Sequence, residues 1–101
     1  MDDRSGEINE ILEMIDGFVN GHISAEEASR FGLLQISEAK YADPPSKDDL
    51  LVGEGWGALM MLSESEPEEF RTSYDELLQI RSWLSGEEDF PYESKLRSYR
   101  K

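Results

Sequence analysis

Residues 7–27, EINEILEMIDGFVNGHISAEE, carry a helix, a turn and the start of a second helix, and their reading decides the fold class. Ile8, Ile11, Leu12, Ile15, Phe18 and Val19 recur at the spacing that lines one side of a helix, with Glu7, Glu10, Glu13 and Asp16 on the other. Asn20-Gly21 supplies the left-handed stop that ends such a helix. Ser24, followed three residues later by Glu27, is a capping box that opens the next one.

Outward from this hairpin the same signals repeat. In the second helix Ala28, Phe31 and Leu34, with Leu33 beside them, read as inward-facing, and the helix breaks at Asp43-Pro44-Pro45 because a residue before proline is pushed out of the helical region. Ser46 caps a third segment with Asp48 and Asp49 in its first turn, where they suit the positive end of the helix dipole. Leu50, Leu51, Trp56, Leu59, Met60 and Leu62 form its apolar side. Gly53, Gly55 and Gly57 interrupt it and mark either a loop or a close helix crossing. Ser63–Glu69 is an acidic connector containing Pro67. Ser73 and Glu76 form another capping box before Tyr74, Leu77, Leu78, Ile80 and Leu84, and Ser85-Gly86 ends that helix. Residues 87–92 read as an extended loop, and 95–101 as a basic tail. The expectation is an all-α chain: a single domain over 1–101, built as a four-helix bundle of short amphipathic helices with an irregular C-terminal tail, less ordered at 1–6 and about 87–101.

Charge is distributed unevenly. The first seventy residues hold seventeen of the 23 Asp and Glu but only four of the ten Lys and Arg, whereas the rest holds six of each, so the whole net charge of −13 lies in the first seventy. Such a field repels itself, attracts cationic partners and speeds their encounter. It argues against a nucleic acid as direct ligand, because phosphates are neutralised by Lys and Arg. No cysteine is present, which removes disulfides and thiolate metal sites and fits a reducing, cytoplasmic compartment. No basic stretch followed by an apolar run opens the sequence and no apolar run is long enough to span a bilayer, so neither export nor a membrane partner is expected.

Few residues suggest chemistry. Residues 16–27 match a twelve-residue calcium loop at Asp16, Asn20, Gly21, Ile23, Ser24 and Glu27, but Phe18 stands where an oxygen ligand belongs. A helix stop and a capping box account for most of those residues without a metal. His22 is the only histidine, so neither a histidine metal cluster nor a Ser-His-Asp triad is available. Gly53-Glu54-Gly55-Trp56-Gly57 lacks the Lys-Ser or Lys-Thr and the preceding strand of a phosphate loop. A non-enzymatic protein with no cofactor and no metal is expected. Trp56, Trp83, Tyr74 and Phe70 are weighed between core and contact roles, and Trp83, offset by one position from Ile80 and Leu84, is the better surface candidate.

The first helix ending in residues 18–27, FVNGHISAEE, the all-helical pattern, the length and the acidity together resemble the small bacterial immunity proteins that neutralise nuclease toxins, the group similar to the colicin D immunity protein. That resemblance implies a helical bundle that binds the nuclease domain of a cognate toxin, with acidic residues standing in for the phosphates of its RNA substrate. Charge clustering selects the expected contact surface: Asp43, Asp48, Asp49, Glu54, Glu64, Glu66, Glu68 and Glu69, which bracket the third helix, with Trp56 or Trp83 as anchor. Alternatives are a small helical adaptor with a helical partner, a calcium-responsive hairpin, and an enzyme using paired carboxylates. Steep salt dependence distinguishes nuclease mimicry from an apolar helix-in-groove contact.

Overall fold

A computed structural model describes residues 4–99. Of the start expected to be less ordered, 1–6, residues 1–3 lie outside the described residues, as do Arg100 and Lys101 of the basic tail, whereas Ser5 and Gly6 already belong to the first helix. The regular structure of the described chain is all helical, with no strand: α1 is Ser5–Val19, α2 Ala25–Ser37, α3 Lys47–Met60, α4 Tyr74–Ser85 and α5 Tyr92–Tyr99, with a 3-10 turn at Glu68–Phe70. None of these helices is long and apolar enough to cross a membrane.

The boundaries follow local chemistry. Ser24, Ser46 and Ser73 each accept the backbone N–H of the residue three further on, and Glu27, Asp49 and Glu76 return a carboxylate to the N-cap N–H, so three capping boxes open α2, α3 and α4. Gly86 ends α4 with φ 83°, the left-handed region where a Cβ is unfavourable.

α3 is the central helix. α1, α2, α4 and α5 all pack on it, and it buries Leu50, Leu51, Val52, Gly55, Trp56, Ala58 and Leu59. A helix covered on most sides shows weak amphipathic periodicity, which is why its sequence reads ambiguously. Its glycines mark close crossings: a Cβ on Gly55 would lie 2.7 Å from Ile11 Cγ2, and one on Gly53 would lie 2.7 Å from the Tyr41 hydroxyl. The loop alternative for this segment is thereby removed. Trp56 is fully buried, meets Phe31 edge to face at 5.3 Å, and leaves its indole N–H without a hydrogen-bond partner.

Two expectations are corrected. Leu33 and Leu34 are both more than half exposed. The seam of α2 runs instead through Ala28 and Gly32, and a Cβ on Gly32 would lie 2.7 Å from Met60 N and Trp56 O, so backbone meets backbone there. The irregular C-terminal tail is also corrected, and with it the count of four helices. Phe90 is buried against Trp83 with ring centroids 5.3 Å apart, the Tyr92 hydroxyl donates to the Pro45 carbonyl at 2.8 Å, and α5 lies over α3. Tyr92, Lys95, Leu96 and Tyr99 have the i, i+3, i+4, i+7 spacing of a helix face, a signal present in the sequence but masked by its charge.

Candidate protein-interaction surface

The stretch read as an acidic connector is an ordered surface loop with clamped ends. Thr72 N–H donates to the Met61 carbonyl at 3.0 Å, and the Thr72 hydroxyl donates to the Ala58 carbonyl at 2.7 Å, so the chain returns to α3 where it left. Inside, Glu66 N–H bonds to the Ser63 carbonyl, Ser65 N–H to the Ser63 hydroxyl oxygen, and Arg71 Nε to the Glu66 carbonyl. A compact loop closed on itself in this way fixes the course of its backbone, which lowers the ordering cost of any contact it makes.

A second element carries the loop. Glu26, in the first turn of α2, accepts the Ser63 hydroxyl at 2.8 Å and the Glu64 N–H at 2.9 Å. The backbone N–H of Glu64, and then the Ser63 hydroxyl, hold its carboxyl below the usual range, so it stays charged. Glu26 and Glu27 therefore join Glu64 at this end of the molecule, an addition that linear charge clustering missed because the contact spans 38 residues.

On this loop Glu64, Glu68 and Glu69 are exposed and Glu66 is half-buried, and none of the four forms an ion pair among the described residues. Beside them Phe70 is 64% and Tyr74 58% exposed, and Leu78 one turn further along α4 is 37% exposed. A groove of about 430 Å³ lies behind, lined by Phe18, Leu62, Leu77 and Tyr74, with Glu64 and Arg71 at its polar side. The arrangement sets exposed apolar and aromatic side chains beside an acidic border.

The other expected contact residues go elsewhere. Asp49 is withdrawn: it is 4% exposed, and its carboxylate accepts Arg4 Nη1 at 2.7 Å and the N–H groups of Ala42 and Ser46 at 3.0 Å each. Burial pushes its carboxyl up, but the Ser46 and Ala42 N–H groups and the Arg4 guanidinium outweigh that and hold it below the ordinary range. Trp56 is withdrawn as an anchor because it lies in the core. Glu54 is half-buried and paired with Lys95 of α5 at 2.7 Å, and Trp83 lies half-buried beneath the same lysine. Asp43 is exposed and Asp48 half-buried, both at the N-terminal end of α3, whereas Glu64–Glu69 follow its C-terminal end, roughly 20 Å away at 1.5 Å per residue. The eight carboxylates thus divide into two separate patches, the interior Asp49 and the ion-paired Glu54 rather than one surface. The exposed aromatic residues beside the loop are Phe70 and Tyr74 rather than either tryptophan.

The calcium-loop pattern has other employment. Asp16 receives Arg81 Nε at 2.7 Å and Nη2 at 3.2 Å, while Ser24 and Glu27 close the capping box. Among the described residues no group of three or more His, Asp or Glu is placed to hold a metal ion. Neither a protein family, nor a curated protein, nor a solved structure matches this chain.

Proposed function

We propose that this protein is a binding protein of the immunity type: it neutralises a basic nuclease toxin by laying its acidic face over the cleft that holds RNA. The observation that carries the reading is the pre-ordered loop 61–72, whose unpaired Glu64, Glu66, Glu68 and Glu69 border the exposed Phe70 and Tyr74. A nuclease cleft is basic because it must hold phosphates. Carboxylates at the border raise the association rate, and aromatic anchors supply affinity that persists when salt screens the charges. The proposal includes a cytoplasmic site of action, a protein rather than a nucleic-acid partner, no catalysis by this chain, and a bundle of α1–α4 as the scaffold.

The test is capture on the immobilised protein followed by elution in a salt gradient, with each partner assayed for nuclease activity. A basic partner released at moderate salt, whose cleavage of RNA this chain suppresses, supports the reading. Replacing Glu64, Glu66, Glu68 and Glu69 together by Gln is expected to slow association and flatten its salt dependence. A bound partner without nuclease activity that persists through high salt overturns it.

One observation favours a second reading. Leu33 and Leu34 stand side by side on α2, each more than half exposed, and would suit a helical adaptor contact that responds weakly to salt. Their replacement by Ser separates the two: it abolishes binding in the adaptor reading and leaves nuclease inhibition intact in the first.

A further inference from the structure

Lys95 occupies a place built for a cation. Its Nζ lies 2.7 Å from Glu54 Oε1 and 5.3 Å from the centroid of the Trp83 ring, so one ammonium meets a carboxylate and an aromatic face together. The place is a groove of about 350 Å³ that Asp75, Glu76 and Ile80 also line. Glu76 gives one oxygen to the Ser73 N–H, and Asp75 has no partner among the described residues. Three carboxylates thus line a groove that holds one ammonium, which pairs with Glu54 alone, and the groove stays acidic with Lys95 in it.

The helix that delivers Lys95 is short and lies at the surface. α5 has eight residues, none of them buried; it packs on α3, and its Lys95 also reaches Trp83 of α4. A helix this short is marginal in isolation, so its docking depends on tertiary contacts, chiefly Tyr92 and Leu96 packed against the core and the Tyr92 bond to Pro45. The side chains of Lys95 and Glu54 are each about one-third exposed, and ion pairs so placed contribute little net stability, so exchanging one cation for another costs little.

We infer that this groove receives a lysine or arginine side chain of the basic partner, and that Lys95 holds the place in cis until that side chain displaces it. The inference rests on the reading that the acidic face meets a basic protein, and it adds a second contact point and a built-in competitor. The charge complementarity of the groove selects the occupant, and the aromatic wall of Trp83 suits the flat or alkyl part of such a side chain.

The test is a titration of the full chain with hexa-arginine peptide at low salt, followed by ¹⁵N NMR, with the two indole N–H resonances as reporters. Trp83 is expected to shift and the core Trp56 to stay. Lys95→Met, which keeps the stem over Trp83 but removes the charge, is expected to tighten binding about two- to fivefold, Lys95→Arg to bind like the parent, and Glu54→Gln to weaken binding. A stationary Trp83 resonance, or unchanged affinity in Lys95→Met, overturns the inference. If residues 64–70 shift while Trp83 does not, the acidic-loop reading stands and the slot falls. If Trp83 shifts and Lys95→Met tightens binding while the four-Gln loop variant binds as the parent does, the slot stands and the loop reading falls.

Discussion

Arg4 and Asp49 are forty-five residues apart in the chain and 2.7 Å apart in space, so the start of α1 is tied to the first turn of α3. The same carboxylate caps α3 through Ser46 and holds the Ala42 N–H of the preceding loop. One buried oxygen pair therefore joins three segments. Asp49→Ala is expected to cost about 3 kcal/mol in a urea titration, because it leaves two N–H groups unpaired and takes from the poorly solvated Arg4 guanidinium one of its two carboxylate partners, Glu7 remaining. Arg4→Met should cost a similar amount, and the double variant clearly less than the sum of the two.

Acid should weaken the fold through three carboxylates. Asp49 is held low by its N–H donors and Arg4 in spite of burial, Asp16 by the hydrogen bond and charge of Arg81, and Glu26 by the Glu64 N–H and the Ser63 hydroxyl. Because each folded value lies below the unfolded one, their contribution is complete above about pH 4.5 and is lost as pH falls through the folded values. Melting curves from pH 7 to pH 3 are expected to show a Tm that drops below about pH 4. Asp49→Asn should flatten that drop.

Glycines of the two crossing helices should respond with opposite signs to a methyl group. Gly32→Ala brings a Cβ to 2.7 Å from backbone atoms of α3, so the helices must separate, at a cost of about 1–3 kcal/mol. Gly57→Ala meets only Ile36 Cδ1 at 3.7 Å and is expected to stabilise α3 by up to about 1 kcal/mol. Denaturant midpoints of the two variants check both signs.

Thr72→Val removes the hydroxyl bond to Ala58 without changing charge or volume much. Amide exchange across residues 62–71 is expected to accelerate while that of α1 and α3 stays slow. If the order of the loop matters for binding, the same variant should weaken nuclease inhibition although every carboxylate is retained.

Calcium at millimolar concentration is expected to leave the Tm unchanged. Asp16 is engaged by Arg81, and Glu27 and Ser24 by each other's backbone, so both carboxylates of the calcium-loop pattern are already engaged. A rise in Tm that Glu27→Gln abolishes would refute this.

The helix ends were legible in the sequence because caps act over three or four residues: Ser24 with Glu27, Ser73 with Glu76, and Gly86 after α4 carry their own geometry. The inward stripe of α1 was legible for the same reason, as Ile11 and Ile15 sit one turn apart and both are buried. The total charge and its bias toward the first seventy residues needed no structure at all. What only the tertiary structure decided is which of those charges face water and which face a partner within the chain. Asp49 meets Arg4, Glu26 meets Ser63, Glu54 meets Lys95, and Gly32 rather than Leu34 forms the seam of α2. Those pairs are separated by tens of residues. Local periodicity sets a residue's angle about its own helix, whereas burial depends on how closely another helix approaches, and here that approach is set by where a glycine lets two backbones touch.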